Sequence, residues 1–202
     1  MMKSCKIEVV REWIRMNERE KMLAGDWYDA NYDEALLQER ALAQDLCFQY
    51  NQLSPKQQKA KEEILKQLLP FVPKNLTLLS PFACDYGSNI FLGEDVFVNI
   101  NSYFMDGAPI TIGNHVFIGP FCGFYTATHP LDYKSRNLGL EKALPIKIGD
   151  NCWFGANVSV MPGVTIGSGC VIAAGSVVTK DLPDHCMAAG VPAKVMKFIN
   201  QE

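Results

Sequence analysis

A six-residue period governs the second half of this chain. Ile148, Phe154, Val160, Ile166, Ile172 and Val178 follow one another at six-residue steps without a break. Four places after each of the first five stands a small or β-branched residue: Cys152, Val158, Val164, Cys170 and Ser176. Gly149, Gly155 and Gly167 come directly after an apolar position, and Ala173 takes the same place. The grid recurs upstream at Leu92, Val98 and Phe104, slips by two residues around Asp106-Gly107-Ala108-Pro109, and resumes at Ile112, Ile118 and Phe124. An α-helix repeats near 3.6 residues and a half-buried strand at 2, so neither explains a period of six. A parallel β-helix of hexapeptide repeats does. Each hexapeptide forms one flat face of a triangular prism, with its large apolar residue pointing inward and polar or glycine residues turning the corner. Three make a coil, and coils stack at the ordinary strand spacing of about 4.8 Å, each covering its neighbour's apolar surface. A β-sandwich of short strands is the competing reading, and an unbroken in-phase series argues against it.

Residues 1–72 have another character, rich in Glu, Lys, Gln, Leu and Ala, and read as an α-helical region. Ala35-Leu36, Leu42, Leu46 and Tyr50 recur at helical spacing, and Ile64, Leu65, Leu68 and Leu69 form a second stripe. Ser54-Pro55 reads as a helix start, with Ser54 as cap, and Pro70 and Pro73 end the region. The organisation expected is therefore a helical segment over 1–72, a β-helix over 73–188 and a tail over 189–202.

The repeat breaks once more, at PLDYKSRNLGLEKAL between His129 and Pro145. Phe124 and Ile148 are separated by a multiple of six, so the prism resumes in phase after this insertion. A long loop over 130–145 in a regular solenoid is a candidate functional element. His129 stands at its base, in FYTATHPLD. From the residues alone it is a general base, a metal ligand or a polar residue ending a strand. The other histidines are His115, at a corner position, and His185, beyond the last full repeat; both read as solvated.

Composition narrows the function classes. Charged residues make up 20% of the chain and the formal net charge is -3, which does not mark a general nucleic-acid binder. No apolar run approaches the roughly 20 residues needed to span a bilayer, and the N-terminus lacks a signal-peptide pattern. A cytoplasmic protein is expected. The seven cysteines include no CxxC pair and do not cluster with histidine at zinc-ligand spacing, so neither a disulfide framework nor a metal site is expected.

Several stretches together resemble the maltose and galactoside O-acetyltransferases of the hexapeptide-repeat acyltransferase superfamily: KMLAGDWYDANYDEALLQER, CDYGSNIFLGEDVFVN, YTATHP, IGDNCWFGANVSVMPGVTIG, AAGSVVTKDLP and AAGVPAKV. The resemblance runs from about Lys21 to Lys197. It implies a left-handed β-helix, against the usual right-handed crossover preference. It also implies homotrimers with active sites between neighbouring prisms, and transfer of the acetyl group of acetyl-CoA to a sugar hydroxyl. His129 matches the family's catalytic histidine. The chemistry agrees, because an alcohol attacking an activated thioester needs one base with a pKa near neutral and one preorganised donor for the oxyanion. A backbone N–H near Ala156 is the donor expected.

The resemblance extends to other residues. Asp85 and Asn99 align with sugar-contacting positions. Galactoside enzymes have serine at Asp85, tyrosine at Phe97 and aspartate at Gly107, whereas maltose-type members share CDYG. These departures favour a glucose or maltose acceptor. Asn99 also reads as a corner residue of the repeat. Asp29 or Asp33 is a further acceptor candidate. Glu141, in the loop, reads as a group orienting His129, an acceptor ligand or a solvated acid. For coenzyme A the matching coils carry Trp153, Ala156, Ala174 and Thr179, with Lys180, Lys194 and Lys197 available to its phosphates. Trp153 should point outward, as interface and ligand tryptophans do.

Serine or xenobiotic acetyltransferases are alternatives within the superfamily, against which KMLAGDWYDA argues. A non-catalytic β-helix scaffold is the alternative from another class. A γ-carbonic-anhydrase-like metal enzyme needs three histidines on adjacent faces, and His185 lies outside the repeat.

Overall fold

The structure, a computed structural model, describes residues 16–200. Most of the chain winds as a left-handed parallel β-helix. One face of the prism stacks β4 (Ile90–Leu92), β7 (Ile110–Ile112), β12 (Ile146–Ile148) and β15 (Thr165–Ile166). A second stacks β2 (Thr77–Leu78), β5 (Phe97–Val98), β8 (Phe117–Ile118), β13 (Trp153–Phe154), β16 (Val171–Ile172) and β18 (Cys186–Gly190). The third stacks β3 (Phe82–Cys84), β6 (Ser102–Met105), β9 (Gly123–Tyr125), β14 (Ser159–Val160) and β17 (Val177–Val178).

The grid read from the sequence is the register of these ladders. Ile148 pairs with Ile166, Phe154 with Ile172 and Val160 with Val178, each three hexapeptides on. The upstream slip appears as longer coils: Leu92 meets Ile112 and Phe104 meets Phe124, two residues beyond the regular spacing. After the insertion the phase is kept, with Phe124 opposite Val160. All the inward grid residues are buried, and Phe82, Phe104, Phe124 and Phe154 form an aromatic column with centroid separations of 5.4, 4.7 and 5.7 Å. Gly155 shows why glycine follows the apolar position: a Cβ there would lie 2.6 Å from Ala174 N in the next coil. His115 and His185 each take a left-handed corner, both with φ 54°, and both are exposed.

The corners are capped unequally. Between the first and second faces, side chains of each coil accept the N–H of the coil before it. Glu94 N donates to Asn114 Oδ1, Asn114 N to Asp150 Oδ1, Asp150 N to Ser168 Oγ and Ser168 N to Asp184 Oδ1, at 2.9, 2.6, 3.1 and 2.8 Å. Between the second and third faces the equivalent places are Pro120, Ala156 and Ala174, which have no side chain able to do this. The Ala156 and Ala174 N–H groups donate to no protein acceptor among the described residues.

Ahead of the prism come α1 (Glu18–Ala24), β1 (Tyr28–Asp29), α2 (Glu34–Gln52) and α3 (Gln58–Leu68); residues 1–15 of the expected helical region lie outside the described residues. Asp33, a candidate acceptor ligand, is the N-cap of α2, its Oδ1 accepting from Leu36 N at 2.9 Å. The buried stripe of α2 is Leu36, Ala43, Cys47 and Tyr50; Leu42, assigned to it by spacing, is 68% exposed. Ser54-Pro55 does not start the next helix. Ser54 O and Oγ accept from Gln57 N and Lys56 N in a turn, and α3 begins only at Gln58. Ile64, Leu65, Leu68 and Leu69 do pack against the prism.

Two segments are more ordered than expected. The insertion holds α4 (Tyr133–Arg136) and β11 (Leu140–Ala143), and β11 pairs antiparallel with both β1 and β10 (Ala127–Thr128). The tail set at 189–202 is mostly sheet: Gly190 ends β18, and β19 (Ala193–Phe198) folds back antiparallel on it. The turn at Gly190, with φ 104°, allows that reversal.

Candidate active site

The small sheet of β1, β11 and β10 sets the geometry around His129. The His129 Nδ1 lies 2.9 Å from the carbonyl oxygen of Leu140 on β11. A carbonyl only accepts, so Nδ1 is the donor to Leu140, and in the neutral ring Nε2 is the nitrogen left to accept a proton. Nε2 lies 3.6 Å from Glu141 Oε2, on the next residue of the same strand. The ring remains 44% exposed, while the Glu141 side chain is 15% exposed. Burial pushes the Glu141 carboxyl above its ordinary value, opposed by the hydrogen bond from Tyr28 and the charges of His129 and Arg40. Tyr28, directly opposite on β1 and fully buried, donates its hydroxyl to Glu141 Oε1.

Asp85 joins this cluster from the end of β3. It accepts the Tyr103 hydroxyl, and burial raises its pKa against that hydrogen bond and the Arg40 charge. Asp85 also acts on Glu141 through its charge. Arg40, on α2, is anchored by donating to Ala30 O. Asp106 lies beneath, fully buried. Its Oδ1 accepts Tyr86 N at 2.8 Å and Asp85 N at 3.1 Å, and its Oδ2 accepts Asn89 N at 3.2 Å. It is the brace that shapes the Asp85-Tyr86 backbone.

Burial pushes Asp106 up to about 6 from 3.8, with its N–H donors acting the other way. Between those values the unfolded chain is ionised while the folded one holds the proton. Asp106 therefore favours folding below about pH 4 and loses that contribution as pH rises to about 6. Urea midpoints of the wild type minus those of Asp106→Asn should fall across this window and level off above it. A flat difference would remove the assignment.

The other candidate residues lie elsewhere. Asn99 Oδ1 accepts Ile100 N at 2.8 Å, the corner role. It lines an outer groove of about 360 Å³ on the second face with Phe97, Phe117, Ile118, Gly119 and Trp153. Trp153 is 57% exposed, outward as expected. Ala156 and Ala174 stack at the uncapped corner beside that face, and Thr179 and Lys180 follow β17 at the surface. Lys194 and Lys197 are exposed on β19, opposite Ala189 and Met187. Asp29 Oδ1 caps its own turn, accepting Asn31 N and Tyr32 N.

No motif or spacing in the sequence singles out Tyr28, Arg40, Tyr86 or Tyr103 as site residues, and Asp106 stands out there only as the neighbour of Gly107. The alternation of Ser102–Met105 was the available signal for an outward Tyr103. Among the described residues no group of three His, Cys, Asp or Glu could hold a metal ion.

A prism of hexapeptide coils, capped by a helical segment and carrying a histidine at the base of its one long insertion, defines an acyltransferase class, and comparison with known proteins agrees. The maltose acetyltransferase hexapeptide capping motif matches residues 21–72, and a hexapeptide-repeat model described for succinyl-transferase matches 145–180. A Staphylococcus aureus (strain MRSA252) protein carrying the name acetyltransferase is 56% identical over 93% of this chain and 94% of its own. The crystal structure of a maltose O-acetyltransferase from Clostridium difficile 630 superposes with TM-score 0.89 at 44% identity, covering 92% of this chain and 99% of that one. A galactoside acetyltransferase in complex with coenzyme A gives TM-score 0.87 at 35% identity, covering 92% of each chain. The chain belongs to the maltose/galactoside O-acetyltransferase family of hexapeptide-repeat acyltransferases and is an acetyltransferase.

Proposed function

We propose that the protein transfers the acetyl group of acetyl-CoA to a hydroxyl of a small sugar of the maltose or glucose type, with His129 as general base. The observation that carries this is the His129 ring, held by Leu140 O at Nδ1 with Nε2 open toward Glu141. Nε2 takes the hydroxyl proton as the sugar oxygen attacks the thioester carbonyl. The imidazolium so formed faces the Glu141 carboxylate. The tetrahedral intermediate collapses, the C–S bond breaks, and the proton passes from His129 to the departing thiolate. Asp85 and Glu141 offer the acceptor hydrogen-bond partners, and Asn99 offers another from the outer groove.

Acetyl-CoA fits the uncapped corner. The free N–H groups of Ala156 and Ala174 suit the carbonyls of a pantetheine arm and, at Ala156, a thioester oxyanion. Trp153 supplies an apolar wall, Thr179 follows β17 at the next corner of the prism, and Lys180, Lys194 and Lys197 suit its phosphates as point charges. The outward Phe97, Phe117 and Trp153, paired in register along the second face, support a homotrimer in which a neighbouring prism covers this groove. Among the described residues no helix is long and apolar enough to cross a membrane, which accords with a cytoplasmic enzyme.

The test is thiol release from acetyl-CoA with maltose, glucose, galactosides, serine and chloramphenicol. Expected is turnover with maltose or glucose at the highest kcat/KM. Preference for serine or chloramphenicol would move the acceptor class, and no release with any acceptor would leave the scaffold reading.

A further inference from the structure

We propose that Tyr28, from the N-terminal capping segment, is a positioning residue for the acetyl transfer: its hydroxyl fixes the Glu141 carboxylate so that the other carboxylate oxygen faces His129. This rests on His129 as the base of the proposed function.

The geometry is a short chain of contacts. Tyr28 lies opposite Glu141 in the β1–β11 pairing, and Asp29 opposite Leu140. One short strand therefore braces both groups that hold His129: the Leu140 carbonyl on Nδ1 and the Glu141 carboxylate near Nε2. Glu141 divides its two oxygens between neighbours, Oε1 to Tyr28 and Oε2 toward His129. The Tyr28 ring is fully buried in a small core with Met22, Leu36, Tyr86, Ala108 and Ala143, separate from the prism interior. That packing fixes the hydroxyl. Gly107 makes room for it, since a Cβ there would lie 3.1 Å from the Tyr28 oxygen and 3.2 Å from Ala143 Cβ.

The charged and titratable groups acting on Glu141 are Tyr28 on β1, His129 after β10, Asp85 and Tyr86 after β3 and Arg40 on α2. Burial raises the Glu141 pKa, and the Tyr28 hydrogen bond opposes the rise. Removing the hydroxyl lets burial act unopposed by it, so Glu141 gains its proton at a higher pH. The anionic partner of the imidazolium is then lost first at the acid end of the activity range. A purely structural role for Tyr28 predicts no such pH signature.

The experiment compares the full chain with Tyr28→Phe, Glu141→Gln and the double variant, using acetyl-CoA and the best sugar of the panel. Tyr28→Phe keeps the buried ring. Its kcat should fall about tenfold, the scale of one hydrogen bond to a charged group, with KM for the sugar little changed and the deficit widening as pH falls. The double variant should be no slower than Glu141→Gln, because Tyr28 acts through that carboxylate. Wild-type kcat in Tyr28→Phe, or losses that add, would overturn the proposal. If Tyr28→Phe does not fold, Gly107→Ala, which crowds the hydroxyl without removing it, takes its place with the same expected signature.

A second readout needs no acceptor. With histidine labelled at ring carbons, and its signal assigned by His129→Asn, His129 should show a step from Glu141 titration. That step should move to higher pH in Tyr28→Phe and vanish in Glu141→Gln. An unmoved step overturns Tyr28's role even where sugar acetylation holds. A moved step without thiol release from the wild type removes the sugar reading and leaves Tyr28's role standing.

Discussion

His129→Ala is expected to lower kcat about a thousandfold, within the 10²–10⁴ range for loss of a positioned general base, with sugar and acetyl-CoA KM values changing far less. An alcohol is a poor nucleophile until it loses its proton, and the thioester gives no help with that step. Leu140 O fixes the histidine tautomer, and Glu141 is placed to stabilise the cation that results. Oxyanion stabilisation and binding survive the substitution, so activity should stay above the uncatalysed rate. The ring is 44% exposed and bonds only one carbonyl through Nδ1, so thermal melting should barely move. A variant that melts like the wild type and keeps full kcat would end the assignment of His129 as base.

The β-helix was legible because its information is local and periodic. Each inward residue of the grid meets the equivalent residue of the next coil, so spacing alone predicts the ladders, the longer coils at Asp106–Pro109 and the in-phase restart at Ile148. His129 was legible from its motif and from its place at the break in the repeat. The support around it was not. Tyr28 and Glu141 meet through a two-residue strand, too short to carry a pattern, paired with a loop far along the chain. No local rule announces that pairing. It forms because the insertion must satisfy its own backbone and the capping segment offers an edge.

The same logic explains the misread details. Ser54-Pro55 satisfies the rule for a helix start, yet Ser54 closes a turn with Gln57. In the tail, Gly190 and Pro192 punctuate a hairpin, and the exposed side chains of Lys194–Phe198 gave no apolar pattern to mark the strand.

Phe124→Ala should be the most destabilising of the single substitutions considered, by about 3–5 kcal/mol. Phe124 is fully buried and sits between the rings of Phe104 and Phe154, at 4.7 and 5.7 Å. Coils stacked above and below hold the walls of the resulting hole apart, so little of it can collapse. Phe124→Leu, which keeps most of the volume, should cost much less. The effect should also reach the site. Phe124 precedes Tyr125 and the buried Thr126, whose hydroxyl donates to Met105 O at 2.5 Å, and the chain then enters β10 and His129. Guanidinium unfolding at fixed protein concentration measures the first effect, since any assembly ties stability to concentration. Near-wild-type unfolding of Phe124→Ala would mean that neighbouring coils do relax into the space, and that the aromatic column is packing rather than the spine of the prism.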